Sequence, residues 1–320
     1  MISPAIHGVV LLDKPAGITS QTAVTIVKRI FGAQKAGHTG TLDPMASGLL
    51  PVCLGEATKY SQDLLDADKT YLAEIRWGQS TNTGDAEGEI VAQAHPDFDI
   101  EDADLLRERL CALQSRFLGT IEQVPPMYSA LKKDGKPLYE YARAGQEIER
   151  VARTVEIHSL DWLAMAWPKA SLRVACSKGT YIRTLAEDMG HALGCGAHLS
   201  ALRREAVGHL QLDRAHTLEE LRAMDADRLN RVLLPVDALV QNLSSLGLGQ
   251  SQAERFCLGQ RVPVVSNTDQ STGHSLRTSD EDEQVLRIYR GSIASDNFLG
   301  TANFRKGVLH PKRLMAQVAA

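Results

Sequence analysis

The chain has 320 residues, 43% of them hydrophobic and 23% charged, and a formal net charge of −4. These proportions fit a water-soluble globular protein, and the length suggests two domains, one of them large. No apolar run approaches the roughly 18 residues that cross a bilayer, and the N-terminus lacks the basic segment of a secretory signal.

"GVVLLDKPAG" opens with an apolar run, Val9 to Leu12, that predicts a buried strand stopped by Pro15 and Gly17. "TSQTAVTIVKRIFG" predicts a helix capped by Thr19 or Ser20, with Ala23, Ile26, Val27 and Ile30 on one face and Gly32 at its end. The glycine-rich stretch "GHTGTLDPMASG" follows at 37–48. "LLPVCLG" then reads as a strand and "EATKYSQDLLDA" as a helix. "KTYLAEIRWG" alternates, with Tyr71, Ala73, Ile75 and Trp77 on one face of a strand. "QSTNTGDAEGE" reads as polar turns. Residues 102–118 predict an amphipathic helix on Leu106, Leu110, Leu113 and Phe117. The segment 124–150 reads as a long loop rich in lysine and tyrosine. Strands are expected at about 153–163 and 170–177, then a helix with Ile182, Leu185, Met189 and Leu193 on one face. After "LLPVDALV" the composition shifts to short strand-like runs, with a very polar stretch at 266–284. The domain boundary is placed near residue 245, giving units of 1–245 and 246–320.

Five scattered cysteines, with no C-x-x-C pair, fit reduced thiols in a cytoplasm better than disulfides or a zinc site. The slight net acidity argues weakly against a nucleic-acid partner, but the distribution of charge matters more than its sum. Basic residues gather at Lys132, Lys133 and Lys136, at Arg150 and Arg153, at Arg203 and Arg204, and at Arg305, Lys306, Lys312 and Arg313. Acids concentrate in "SDEDE" at 279–283. Each cluster alone reads as a solvated face.

Asp43 is the only carboxylate on the glycine-rich stretch. Metal-bound carboxylates keep close partners, and none is nearby in sequence. A phosphate loop would need G-x-x-x-x-G-K-[ST], which is missing. Alone, "LDP" reads as an Asp that caps the turn at Pro44.

Three other stretches change that reading: "LLDKPAGITS", "DKTYLAEIRWG", and "CSKGTYIRTLAEDMG" continuing to "CGAHLSALRR". Together with "GEATK" at 55–59, "MYSALK" at 127–132 and "LLPVD" at 233–237, they resemble the bacterial TruB tRNA pseudouridine synthases, which isomerise uridine 55 in the T loop of transfer RNA. The resemblance runs from about residue 8 to 242. The tail is similar to that family's small RNA-binding domain of the PUA type.

The resemblance implies a mixed α/β fold with a largely antiparallel central sheet flanked by helices, plus a small β domain. It implies Asp43 as nucleophile, Tyr71 stacked on the uracil, and Arg183 as the partner of Asp43. It places His38 in the T loop beside the flipped base, and Tyr181, Leu202 and Lys14 among the RNA-binding residues. It implies no cofactor and no metal, transfer RNA as the partner, and no membrane or obligate protein partner. An additional tRNA-folding role stays open. The segment 124–150 is expected to clamp RNA, with cations for phosphates and aromatics for bases. A nuclease is disfavoured by the lack of an acid cluster.

Overall fold

The computed structural model describes residues 6–264 and 283–316. All but the last two residues of the polar stretch at 266–284 lie outside them.

A ten-stranded mixed sheet forms the frame. Its strands are β1 (Gly8–Lys14), β2 (Ala36–His38), β3 (Ser47–Leu54), β4 (Lys69–Trp77), β5 (Gly119–Gln123), β6 (Arg153–Ala164), β7 (Lys169–Cys176), β8 (Ala197–Val207), β9 (Leu210–Gln211) and β10 (His216–Thr217). Their order is β10-β1-β3-β8-β4-β7-β6-β5, with β2 beside β3 and β9 beside β8. The β10–β1 and β3–β8 pairs are parallel, and the other pairings are antiparallel.

The patterning explains which strands sit in the middle. On β1, Val10 and Leu12 face one hydrophobic cluster while Val9 and Leu11 face another. A strand covered on both faces needs no polar alternation, hence the unbroken "VVLL". On β4, Ala73, Ile75 and Trp77 are buried and the residues between them are half-exposed, as expected for one covered face.

Three helices cover the first face: α1 (Ser20–Ile30), α2 (Ala103–Phe117) and α3 (Ile182–Leu193). The Thr19 hydroxyl caps α1 by accepting from the Thr22 N–H. The buried stripe of α1 is Ala23, Val24 and Val27, while Ile26 and Ile30 lie at its rim. The stripes expected on α2 and α3 are buried, and on α3 Arg183 and Thr184 are buried with them. "EATKYSQDLLDA" forms 3₁₀ and α turns rather than one helix. The 124–150 segment carries a short hairpin, Lys132–Lys133 with Lys136–Pro137, and a short helix, Leu138–Arg143.

A second, five-stranded sheet contains β11 (Ser244–Leu248), β12 (Val262–Pro263), β13 (Gln284–Arg290), β14 (Phe298–Arg305) and β15 (Val308–Leu314). Its order is β11-β13-β14-β15-β12. The helix α4 (Gln250–Cys257) packs on it through Ala253 and Phe256. The expectation of short strand-like runs in a small, mostly β unit did not single out that helix. Among the described residues, no helix is long and apolar enough to cross a membrane, and all five cysteines are free thiols.

Candidate active site

The glycine-rich stretch forms the end of β2, a loop, and the start of β3. Backbone and side-chain contacts fasten it on several sides. The Ser20 hydroxyl donates to the Leu42 carbonyl at 3.0 Å and accepts from the Leu42 N–H at 2.8 Å. The Gly17 N–H donates to the Pro44 carbonyl at 2.8 Å, and the Ala46 N–H to the Asp43 carbonyl at 3.1 Å. The turn is thus closed by the backbone of Asp43, and among the described residues its carboxylate caps no N–H group.

That carboxylate instead meets Arg183, from the first turn of α3. Nε of Arg183 stands 2.9 Å from Oδ2 of Asp43, as an ion pair without the alignment of a hydrogen bond. Arg183 is only 3% exposed, whereas the Asp43 side chain is 33% exposed. The cation is sealed in, and the acid is open to a ligand. The rest of the guanidinium is fixed by acceptors. Nη1 donates to the Thr83 carbonyl at 3.0 Å, and Nη2 to the Tyr128 carbonyl at 2.6 Å.

Nη1 also lies 3.5 Å from Oδ2 of Asp85, which belongs to the polar turn segment "QSTNTGDAEGE". Asp85 is buried. It accepts from the Thr83 hydroxyl at 2.6 Å and from the Glu87 N–H at 3.1 Å. Asp43 therefore has acidic company in space that it lacks in sequence. Among the described residues, no three acid, His or Cys side chains come together as a metal-holding group. Burial pushes the Asp43 carboxyl above its usual range and Asp85 adds to that, while Arg183 and Lys14 pull it back down. Glu187 follows Arg183 by four residues on α3, the spacing that places side chains on one helix face. It is raised to about 7, chiefly by burial, and its carboxylate packs so close over Gly84 that a Cβ there would stand 2.8 Å from it.

Lys14 is fully buried. Its ammonium donates to the carbonyls of Pro15 at 2.9 Å, Ile18 at 2.8 Å and Pro44 at 3.4 Å. Lys14, which the resemblance places among the RNA-binding residues, thus pins the residue after Asp43. Its pKa falls to about 8, mainly through burial. Arg204 was grouped with the surface cations and is 1% exposed. Neighbouring Arg203 pairs with Asp13 at 2.6 Å.

Tyr71 packs at the edge of the first core cluster. Burial raises its pKa, with Arg204 opposing and Asp43 adding to the rise. His38 accepts the Gly40 N–H on Nδ1 at 3.2 Å, so that nitrogen carries no proton. Burial, then the nearby Arg204 charge, lowers its pKa. Leu202 lies opposite Ala73 on β8 and is nearly buried. Tyr181 caps the start of α3. Its N–H donates to Gln123 Oε1 at 3.0 Å, and its carbonyl accepts from Gln123 Nε2 at 3.1 Å. The Arg153 guanidinium lies 4.8 Å from the Tyr181 ring centroid. Gln123 is fully buried, and its role was invisible in "GTIEQVPP".

The sequence model of the TruB family pseudouridylate synthase N-terminal domain matches residues 28–182. That of the tRNA pseudouridylate synthase B C-terminal domain matches 183–241, and that of the C-terminal region of pseudouridine synthase II TruB matches 244–315. The tRNA pseudouridine synthase B of Ralstonia nicotianae is 53% identical over 316 residues, spanning 97% of this chain and 94% of that protein. The protein of the same name from Burkholderia mallei is 50% identical over 318 residues, spanning 98% and 99%. Among solved structures, the crystal structure of a Cbf5-Nop10-Gar1 complex matches at a TM-score of 0.68 and 27% identity, over 93% of this chain and 78% of that one. The chain belongs to the TruB family of pseudouridylate synthases.

Proposed function

We propose that this chain converts uridine to pseudouridine in transfer RNA, at position 55 of the T loop, with Asp43 as nucleophile and no cofactor. The observation that carries the reading is a one-third-exposed carboxylate held against a sealed arginine, in a family whose close relatives are named tRNA pseudouridine synthase B.

The reaction breaks the N1–C1′ bond and forms a C5–C1′ bond. The C5 proton leaves, N1 gains one, and nothing else is added or lost. It needs a nucleophile that bonds transiently and departs, and a carboxylate does this. Arg183 keeps Asp43 ionised against the cost of its burial. Tyr71 stacks on the extruded uracil, a contact worth about 1–3 kcal/mol. His38, uncharged at neutral pH, fills the gap in the T loop and offsets the cost of unstacking. Tyr181 and Leu202 wall the pocket. Lys14 holds the loop rather than the RNA.

The 124–150 segment clamps the RNA. It is coupled to the site because its Tyr128 carbonyl is bound by Arg183. The unit from Ser244 onward is the PUA-like RNA-binding arm. A tRNA-modifying enzyme is expected to work in the cytoplasm, where transfer RNA is found.

The test is release of tritium from C5-tritiated uridine in a T-arm transcript carrying U or C at position 55, with wild type and Asp43→Asn side by side. Asn preserves the size of the side chain but cannot act as a carboxylate. Turnover is expected to fall by more than about a hundredfold, on the order of 3 kcal/mol, with binding retained. Release from the C55 transcript equal to that from U55 would rule out the target position. A variant above a hundredth of wild-type turnover would remove Asp43 from the nucleophile's role.

A further inference from the structure

Arg204 is among the largest fully buried side chains, yet among the described residues it forms no ion pair. A buried cation without a carboxylate is costly. Its partners are three backbone carbonyls. Nε donates to Leu49 at 2.8 Å, Nη1 to Thr41 at 3.4 Å and Nη2 to Gly40 at 3.1 Å. Gly40 and Thr41 lie just before Asp43, and Leu49 lies just after its loop. The guanidinium therefore spans the neck of that loop, and the planar fork of donors is suited to reaching both sides at once.

A glycine lets the two backbones meet at this point: a Cβ on Gly48 would stand 2.4 Å from the Arg204 carbonyl oxygen. Arg204 also lies directly opposite Tyr71 in the β8–β4 register. Side chains so paired are neighbours on one sheet face. The Arg204 charge reaches the Tyr71 hydroxyl and the His38 ring. A neutral donor could hold one of these carbonyls. It could not hold all three and also place positive charge beside the tyrosine.

We propose that Arg204 is a positioning residue that ties the neck of the Asp43 loop to the Tyr71 strand, and so sets the separation between the nucleophile and the stacking ring. The inference rests on the roles given above to Asp43 and Tyr71.

Two variants separate geometry from charge. Arg204→Lys keeps the charge and loses the fork, and Arg204→Gln loses both. Each is expected to fold and to bind T-arm RNA within about threefold of wild type, while turnover at saturating RNA drops about ten- to a hundredfold, the order expected from a small misplacement of reacting groups. In NMR titrations, the His38 ring is expected to stay low in Arg204→Lys and to move up toward its ordinary value of 6.5 in Arg204→Gln; because both variants lose the fork and only one loses the charge, the pair separates lost charge from lost burial.

Turnover of Arg204→Lys within twofold of wild type overturns the inference. So does an Arg204→Lys chain that does not fold, since Arg204 would then be a folding residue. If only Arg204→Gln fails to fold, the lysine variant decides. Wild type and Asp43→Asn are assayed alongside. A silent wild type overturns the proposed function itself, whereas an active wild type, a dead Asp43→Asn and an indifferent Arg204→Lys overturn only this inference.

Discussion

At the scale of single residues, the site is governed by how charge is held around Arg183. Its Nε faces Asp43 at 2.9 Å and its Nη1 faces Asp85 at 3.5 Å, so one cation serves two acids. Burial raises Asp43 and Arg183 opposes the rise. Arg183→Met should therefore let the Asp43 pKa climb further. In the proposed mechanism the carboxylate is the active form, so activity should fall as pH drops through that pKa, and the acid limb of the turnover–pH curve should move to higher pH. RNA affinity should change less than turnover. An acid limb that stays in place would show that Arg183 does not set the ionisation of Asp43. Glu187 yields a second prediction. Its folded pKa of about 7 lies above the ordinary 4.5, so the fold favours its protonated form. That stability is fully present below about pH 4.5 and is lost as pH rises through about 7. Glu187→Gln should then melt higher than wild type at pH 8, with the difference closing near pH 4.5. A lower melting temperature for the variant at pH 8 would mean that the Glu187 anion is held favourably by Arg183.

At the scale of elements, the sequence was most legible where one face repeats. The α2 and α3 stripes and the alternation of β4 follow from period alone. The α1 stripe was shifted by a residue at its rim, because Val24 packs inward where Ile26 was expected. The candidate site was legible only where a motif carried it. Asp85 lies in "TNTGDAEGE", whose turn chemistry looks like any solvated loop, and its burial depends on α3 arriving from about a hundred residues away. The burial of Lys14 and Arg204 was not legible for one reason: a cation in sequence gives no sign of whether its head meets water or a set of carbonyls. One glycine of the Asp43 loop is fixed by its backbone. Gly48 holds φ at +102°, and its Cα lies against the backbone of Arg204, where β3 and β8 pair in parallel. Gly48→Ala should cost about 1–3 kcal/mol from the backbone angle alone, and more from the contact. Calorimetry should show the lower melting temperature, and turnover should fall with it because the exit of the Asp43 loop must shift. An alanine variant that melts like wild type would mean that this strand pair is free to spread.

At the scale of the whole molecule, the two sheets share a core. Val9, Leu11, Leu49 and Cys53, from the back of β1 and β3, cluster with Tyr60 and Leu64, and with Tyr289 and Phe298 of the second sheet. The Phe298 ring lies 5.5 Å from Tyr60 and 5.4 Å from Tyr289. A polar seam borders this core. Lys59 donates to the Leu314 carbonyl at 3.0 Å, and Arg313 pairs with Asp63. Arg313 thus serves the seam rather than standing free for RNA. The buried Asp237 of "LLPVD" accepts from the Tyr289 hydroxyl at 2.8 Å and the Ser295 hydroxyl at 3.1 Å. Stability and RNA binding should therefore come apart in two variants. Tyr289→Phe leaves a buried carboxylate short of a donor, which costs about 1–3 kcal/mol, but it removes no cation. Its melting temperature should fall, while the dependence of RNA binding on salt should not change. A chain ending at residue 243 loses both. Its apolar back face is exposed, so it should melt far lower. Its plot of log affinity against log salt should also flatten, by about 0.7–0.9 for each phosphate contact the arm supplied. Slow turnover should survive, because Asp43, Tyr71 and Arg183 all precede the cut. An unchanged salt slope in the shortened chain would show that the second sheet steadies the enzyme without touching RNA.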